Sequence, residues 1–246
     1  MTTYRVAVTK RPDGSADGWL IDLPGCRATA SSFEAMTELL PVVTGDHLTW
    51  LARQGEAVSP FTPAEFKVVE ESERRGEVAF DFDREAMSRD QLERGINHAA
   101  YAHADFLAAF EGLPDAVLDW RPPATAVKID QVFPDVRSIR QMVEHCLITE
   151  GRYYFAAFSD QPPSDPERVP AAGELHEASA ARLRAFSDET LGRLVKGTGP
   201  RGETEWTVRK VMRRIVAHKR FHTREIEQRL CWLTLGVPEI LPVNRE

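Results

Sequence analysis

The sequence lacks several features that would assign it to common protein classes. It has no apolar run long enough to cross a bilayer and no basic segment followed by an apolar stretch at its start. It contains only three cysteines, Cys26, Cys146 and Cys231, which are widely spaced and form no CxxC pair. This pattern indicates neither a disulfide framework nor a cysteine zinc motif. We therefore expect a protein of the reducing cytoplasm that has no membrane partner.

Basic residues are also in short supply. The chain has 31 Lys and Arg against 38 Asp and Glu, and its formal net charge is −7. Proteins that follow a phosphate backbone concentrate positive charge on a surface or in a tail. No such tail is present, so we expect no nucleic-acid partner. With 42% hydrophobic and 28% charged residues, the composition is typical of a globular protein.

The first 85 residues have the pattern of a small sheet with one helix. Alternating apolar residues and turn signals predict strands over residues 4–8, 19–23, 27–30, 65–70 and 76–82. Ser32 is placed to cap a helix whose apolar positions extend to Leu51. Pro41 is expected to bend or break this helix early, because proline has no amide donor and clashes with the preceding turn.

Beyond about residue 86, strands are no longer expected and helical periodicity takes over. The predicted helices cover residues 90–111, 138–158, 173–186 and 204–235, with Pro- and Gly-rich links between them. The sequence therefore predicts an α+β protein of two domains. These are a small αβ sheet domain over residues 1–85 and a four-helix bundle over residues 86–246.

A pair of histidines on the last helix is the strongest chemical signal. Steps of three and four residues trace an inward stripe through Val208, Val211, Ile215, His218, His222 and Ile226. The i,i+4 spacing places His218 and His222 on one helix face, one turn apart. Neutral imidazoles in this arrangement can bind zinc, nickel, iron or cobalt.

His145 is the best candidate for a third ligand, because it borders apolar positions of the second helix. Three protein ligands would leave open coordination positions, as a catalytic ion requires. Cys146 is not expected to share the ion, since adjacent helical residues point about 100° apart. The alternative interpretation is that these histidines are core residues held by hydrogen bonds without a metal.

Four further polar residues could serve such a site. Glu144 or Glu150 could orient a ligand or move a proton, or both could simply be solvated. His98 and His103 lie five residues apart on the first long helix and cannot both face one ion. One of them could line the site, but a structural role is the stronger expectation for each. No catalytic residue is assigned.

The helical part resembles the DinB-like (YfiT-like) family of metal-binding four-helix bundles. Segments 113–122, 138–145 and 206–222 carry the resemblance, which extends over about residues 86–235. Members have a histidine on the second helix and an HxxxH pair on the last helix. The resemblance therefore implies an antiparallel bundle and the metal ligands His145, His218 and His222. It also implies thiol-dependent transfer or isomerisation, or metal-dependent hydrolysis.

The N-terminal part resembles a HicB-type antitoxin domain. The resemblance lies in DGWLIDLPGC at residues 17–26, in residues 30–35 and in residues 51–55. It implies a small αβ domain that binds a partner protein. A structural interpretation is preferred here, in which the sheet helps the chain to dimerise or covers one end of the bundle.

Taken together, these patterns favour a metal-dependent enzyme with a divalent transition metal (zinc, nickel or iron). Its expected partner is a small-molecule substrate, with a low-molecular-weight thiol among the candidates, and a homodimer is expected. The alternative is a non-catalytic binding or regulatory protein. Its N-terminal domain would then engage a partner, and its metal would be structural.

Overall fold

The computed structural model describes residues 2–73, 79–122, 136–158, 171–199 and 202–236. Its contacts divide the chain into two compact units. The first unit combines residues 1–101 with 183–217, and the second combines residues 102–182 with 218–246. The first therefore contains the N-terminal sheet region, and the second is built from helices. The domain boundary near residue 85 stays a prediction.

The first unit contains a four-stranded sheet with the order β3-β2-β1-β4. Its strands are β1 (Thr2–Lys10), β2 (Ala16–Leu20), β3 (Arg27–Ala30) and β4 (Ala64–Ser72). Strand β1 pairs antiparallel with β2, with Val6 opposite Leu20, and parallel with β4, with Val6 opposite Val68. The helix α1 (Phe33–Arg53) provides the crossover that a parallel pair requires.

Helix α1 begins where the sequence predicts but does not break at Pro41. The hydroxyl of Ser32 accepts a hydrogen bond from the amide of Ala35, which caps the first turn. The helix then continues through Pro41, whose ring is exposed, to Arg53. Leu40 and Thr44 on either side are fully buried. The predicted break was wrong, because packing against the sheet holds the helix together despite one missing hydrogen bond.

Both faces of this sheet are covered within the first unit. On one face Val6, Val8 and Leu20 pack against Met36 and Leu40 of α1. On the other face lies a second cluster that consists of Ala7, Trp19, Phe80 and Ala217. Burial on both sides explains why every residue of β2 is buried.

The turn after β2 needs glycine for two reasons. Gly25 has a φ of +88°, and a Cβ atom there would lie 2.5 Å from Cγ1 of Val216.

Asp17 of β2, in the same sequence motif, is buried and ionised. The residue is 3% exposed, and its side chain accepts a hydrogen bond from Thr29 and pairs with Arg11. Burial opposes ionisation of Asp17, but its arginine neighbours and Thr29 lower its pKa overall. The motif that carries the HicB resemblance thus has structural roles, and a HicB-type identity stays a prediction.

A buried ion pair replaces part of the predicted strand over residues 76–82. Residues 74–78 lie outside the described residues, while Asp81–Arg84 forms a helical turn, α2, rather than strand. The carboxylate of Asp83 accepts a hydrogen bond from the amide of Phe80 and two more from the guanidinium of Arg213, at 2.8 and 2.6 Å. The prediction was wrong at residues 79–82, which form no strand, because these tertiary bonds hold the chain in a turn.

The remaining helices include the four predicted ones, each within about four residues of its predicted position, and two short helices that were not predicted. They are α3 (Arg89–Phe110), α4 (Asp115–Leu118), α5 (Ile139–Ile148), α6 (Tyr154–Ala156), α7 (Leu175–Arg184), α8 (Asp188–Leu191) and α9 (Val208–Leu235). The two that were not predicted are α4 and α8. A π-helical segment, Thr149–Tyr153, joins α5 to α6. No helix among the described residues is long and apolar enough to cross a membrane.

A hairpin before α9 contradicts the expectation that strands end near residue 86. Strands β5 (Val195–Gly199) and β6 (Gly202–Trp206) pair antiparallel, with Val195 opposite Trp206. Thr204 and Trp206 are buried, whereas Glu203 is exposed, which is the alternation of a half-buried strand. Helix α9 therefore begins at Val208, four residues later than predicted. The hydroxyl of Thr207 caps its first turn by accepting a hydrogen bond from the amide of Lys210.

A core cluster of the second unit packs along one face of α5. Its fully buried members are Phe106, Ile139, Met142, Cys146 and Ile226. Three of these lie on α5 and recur at intervals of three and four residues, so they occupy one face of that helix. This packing determines which way the neighbouring polar residues of α5 point.

Candidate metal centre

The inward stripe of α9 carries two adjacent imidazoles. Val211, Ile215 and Ile226 are buried, which confirms the predicted face of the helix. His218 and His222 lie on that face, with ring centroids 4.5 Å apart and planes at 87°. Their Nε2 atoms are 3.1 Å apart. The i,i+4 spacing thus brings the two nitrogens together, as the sequence predicts.

Helix α5 contributes the third imidazole. Its first turn is fixed by a capping box. The side chains of Ser138 and Gln141 each accept a hydrogen bond from the other residue's backbone amide. This start places Met142 and Cys146 in the core and His145 beside them. Nε2 of His145 lies 3.1 Å from Nε2 of His218. One ligand atom from each of the three histidines lies within 4.8 Å of the other two.

Hydrogen bonds alone cannot satisfy this cluster. Nδ1 of His222 lies 2.7 Å from Oε2 of Glu225, so Nδ1 carries the proton and Nε2 of a neutral ring presents a lone pair. Nε2 of His218 has close neighbours in both His145 and His222, but a neutral imidazole nitrogen has only one proton or one lone pair to offer. At least one of the two contacts is therefore poorly satisfied without a cation between the rings.

The spacing of the nitrogens fits a metal ion. Zinc–imidazole bonds of about 2.0–2.1 Å separate two ligand nitrogens by about 3.3 Å at a tetrahedral angle and by about 3 Å at a right angle. The two measured separations of 3.1 Å lie between these values. The residues present therefore fit a transition-metal ion.

Two further side chains contact the clustered histidines. The carboxylate of Glu225 accepts a hydrogen bond from Nδ1–H of His222, the usual arrangement for a metal-binding histidine. Oγ1 of Thr149 lies 3.4 Å from Nδ1 of His145. Burial, together with the positive charge of Arg137 and the neighbouring His222, lowers the pKa of His145 to about 3. A neutral imidazole is the form that binds a metal.

A family model for the DinB superfamily matches residues 98–226, which is more than half of the chain. The chain belongs to the DinB superfamily. The match includes all three clustered histidines and the helices α5 and most of α9 that carry them.

One solved structure is similar to this DinB-superfamily chain at 20% sequence identity and a TM-score of 0.43. The similarity covers 65% of this chain and 94% of the other. That protein is YfiT from Bacillus subtilis, described as "a probable metal-dependent hydrolase with an unusual four-helix bundle topology". No curated protein matches the chain.

Of the carboxylates considered from the sequence, neither touches the histidine cluster. Glu144 is exposed. Glu150 is 2% exposed and pairs with Lys219 at 2.8 Å. The carboxylate that does contact a clustered histidine, Glu225, was missed. Its i,i+3 spacing from His222 was the available signal.

The other two histidines considered from the sequence lie outside the cluster. His98 is buried beside Trp50, and its Nε2 lies 3.6 Å from Glu56. His103 is buried and stacks on His176, with ring centroids 5.8 Å apart. Neither forms part of a metal-ligand group in the described part of the chain.

Cys146 is next to His145 in sequence but points into the apolar core. It is 1% exposed and packs with Phe106 and Ile226. Burial, and then the charge of Glu150, raises the pKa of its thiol well above the ordinary value. Because a thiolate is the form that binds metal, Cys146 is unsuited to be a fourth ligand.

Proposed function

We propose that His145, His218 and His222 bind one divalent transition-metal ion and that the chain is a metal-dependent enzyme for a small molecule. The observation that supports this proposal most strongly is the meeting of three imidazoles in a partly buried site, where Nε2 of His218 lies 3.1 Å from Nε2 of both His145 and His222 and all three ligand atoms lie within 4.8 Å of one another. Zinc, nickel and iron all accept such ligands.

The incomplete ligand set favours catalysis over a purely structural ion. Among the described residues, no fourth His, Cys, Asp or Glu joins the group. Structural zinc sites normally have four protein ligands, whereas catalytic sites keep a position for water or substrate. Bound here, the ion would supply a Lewis acid that activates a coordinated water for hydrolysis or a coordinated thiol for transfer.

The protein's own residues would position the ligands and shield them. Glu225 would keep the Nε2 lone pair of His222 directed at the ion by holding the Nδ1 proton. Tyr154 is fully buried, and its ring centroid lies 6.0 Å from that of His218, so it closes one side of the site. Phe221 and Ile148 are 43% and 46% exposed. They lie three residues after His218 and His145, where they would offer apolar contacts to a substrate.

Metal analysis of the purified chain tests the ligand assignment. We expect about one transition-metal ion per chain in protein prepared without chelator, and loss of that ion in the His145→Ala, His218→Ala and His222→Ala variants. His176→Ala serves as the matched control, because this half-buried histidine lies outside the cluster. Full metal occupancy in the three cluster variants would refute the assignment.

An activity panel separates the enzyme from the non-catalytic alternative. The metal-loaded chain is assayed for ester and amide hydrolysis and for conjugation of small thiols to electrophiles, with the His222→Ala variant as blank. Turnover that needs the metal supports the enzyme. A closed four-ligand shell by X-ray absorption, together with no turnover, would favour a structural ion. The homodimer, the cytoplasmic location and the thiol co-substrate stay predictions.

A further inference from the structure

A buried arginine without a charged partner lies close to the candidate metal centre. Arg229 on α9 is 6% exposed. Its Nη1 points at the thioether sulfur of Met142, which is a weak acceptor, and its Nε has no hydrogen-bond partner. No carboxylate in the described ranges forms an ion pair with its guanidinium.

This arrangement is unusual for a guanidinium. Buried charges in proteins are normally paired with an opposite charge, because removing an ion from water is costly. Burial lowers the pKa of Arg229, and among the described residues the one favourable charge that acts on it is that of Glu225, which already contacts His222. The donors of Arg229 are therefore available to an acceptor that the described residues do not supply.

The position of Arg229 relates it to the histidine cluster. Arg229 follows His222 by seven residues, or two turns, on the same inward face of α9. Its contact Met142 precedes His145 by three residues on α5. Helical side chains lean towards the N-terminus, so Arg229 leans back towards His222. At a rise of about 1.5 Å per residue, Arg229 lies about 10 Å from His222 along the helix axis.

Besides its own charge, the charges that act on Arg229 are those of one carboxylate, Glu225, and one further arginine, Arg137. Arg137, which is half-buried, lowers the pKa of both His145 and Arg229 through its charge. Lys219 and Glu150 pair with each other and cancel. A divalent ion on the histidines would make the region more positive still. The charge that this region would attract is negative.

We propose that Arg229 binds an oxyanion group, a carboxylate or a phosphate, of the small molecule that occupies the candidate metal centre. This inference rests on the proposed function and adds a substrate class to it. A guanidinium presents parallel N–H donors that match the two oxygens of either group. The substrate would then be a small acid whose anionic group lies about one to two helical turns from the metal-bound atom.

Anion binding to wild type and to an Arg229→Met variant tests the proposal. Methionine has a similar length to the arginine stem and no charge, and it would pack against Met142. Arg224→Met is the matched control, since Arg224 is an exposed arginine five residues earlier on α9. Each protein is loaded with one equivalent of zinc, desalted and titrated with acetate or inorganic phosphate at constant ionic strength set by chloride. Melting temperature and metal content are measured.

In wild type and Arg224→Met we expect the melting temperature to rise with acetate, phosphate or both. In Arg229→Met we expect the apparent affinity to fall about tenfold or more, the value of one charge-assisted contact. Without anions, Arg229→Met should melt no lower than wild type, because it loses an unpaired buried charge. The more effective anion distinguishes a carboxylate substrate from a phosphate substrate.

An unchanged anion affinity in Arg229→Met would overturn the proposal, as would the absence of any anion effect in wild type. If Arg229→Met does not fold, the neutral variant Arg229→Gln takes its place, and an unchanged affinity in that variant overturns the proposal equally. Failure of the proposed function is a separate result. In that case the wild-type chain binds no metal, while any Arg229-dependent anion effect persists in chelator-treated protein.

Discussion

The buried pair of Lys219 and Glu150 should be a strong determinant of stability beside the candidate metal centre. Nζ of Lys219 lies 3.0 and 2.8 Å from the two carboxylate oxygens of Glu150, and the side chains are 1% and 2% exposed. Lys219 follows the candidate ligand His218 directly, and Glu150 lies in the π-helical segment after α5. The pair therefore links the two helices that carry the histidines.

Removal of one partner leaves an unpaired charge in the interior. Such single replacements cost about 3–5 kcal/mol of unfolding free energy, whereas replacing both partners by apolar residues is often nearly neutral. We therefore expect Lys219→Met to lower the unfolding free energy by about 3–5 kcal/mol. For a chain of this size each kcal/mol corresponds to about 2–4 °C, so the melting temperature should fall by about 6–20 °C.

A double-mutant cycle on chelator-treated protein measures this coupling without a contribution from metal. Lys219→Met, Glu150→Gln and the double variant are compared with wild type by urea denaturation and thermal melting. The double variant should recover a large part of the loss in Lys219→Met, because no unpaired charge then remains. A loss below about 1 kcal/mol in Lys219→Met would refute the reasoning, as would strict additivity in the double variant.

The remaining predictions concern a metal-site carboxylate, a turn and a buried histidine. Glu225→Gln should weaken metal affinity about 10–100-fold in competition with a chromogenic chelator, because a ligand loses its orienting partner; unchanged affinity would contradict this. Gly25→Ala should lower the unfolding free energy by about 2–4 kcal/mol, against about 1 kcal/mol for Gly55→Ala, since both have positive φ but only Gly25 contacts α9. Burial, then the charges of Lys219 and His176, lower the pKa of His103 to about 3 from 6.5. The unfolded chain therefore binds this proton at a higher pH than the folded chain does. The unfolding free energy is unaffected by His103 above about pH 6.5 and decreases as the pH falls towards 3, by up to about 1.4 kcal/mol per pH unit. His103→Phe should flatten that slope in urea denaturation of chelator-treated protein, and an equal slope would contradict the assignment.

Sequence reasoning succeeded where local pattern and burial agree. The stripe of α9 repeats at the helical period, so the common face of His218 and His222 could be predicted from spacing. The start of α1 at Ser32 was equally local, since a capping hydroxyl acts within one turn. The position of His145 was harder to predict, because the only signal was that it borders the apolar positions of its own helix. That signal does not show which other helix its ring contacts.

The wrong predictions share a tertiary cause. Pro41 does not break α1, because the sheet buries residues on both sides of it. The turn at Asp81–Arg84 depends on the bond from Arg213, which lies about 130 residues away along the chain. The hairpin before α9 was missed because its glycines were interpreted as a link between helices. In each case the interaction partner cannot be predicted from the residues adjacent in sequence.

The amino-acid pattern by itself determined the positions of the long helices, the positions of the first strands and the common face of His218 and His222, because each is a periodicity of residues that are close in sequence. Only the tertiary structure decided that His145 joins them and that Glu225 holds one ring. It also decided that Glu150 forms an ion pair with Lys219 and that Arg229 is buried with no ion pair to a carboxylate of the described residues. These facts arise from contacts between separate helices, and the geometry of such contacts follows from how whole faces pack.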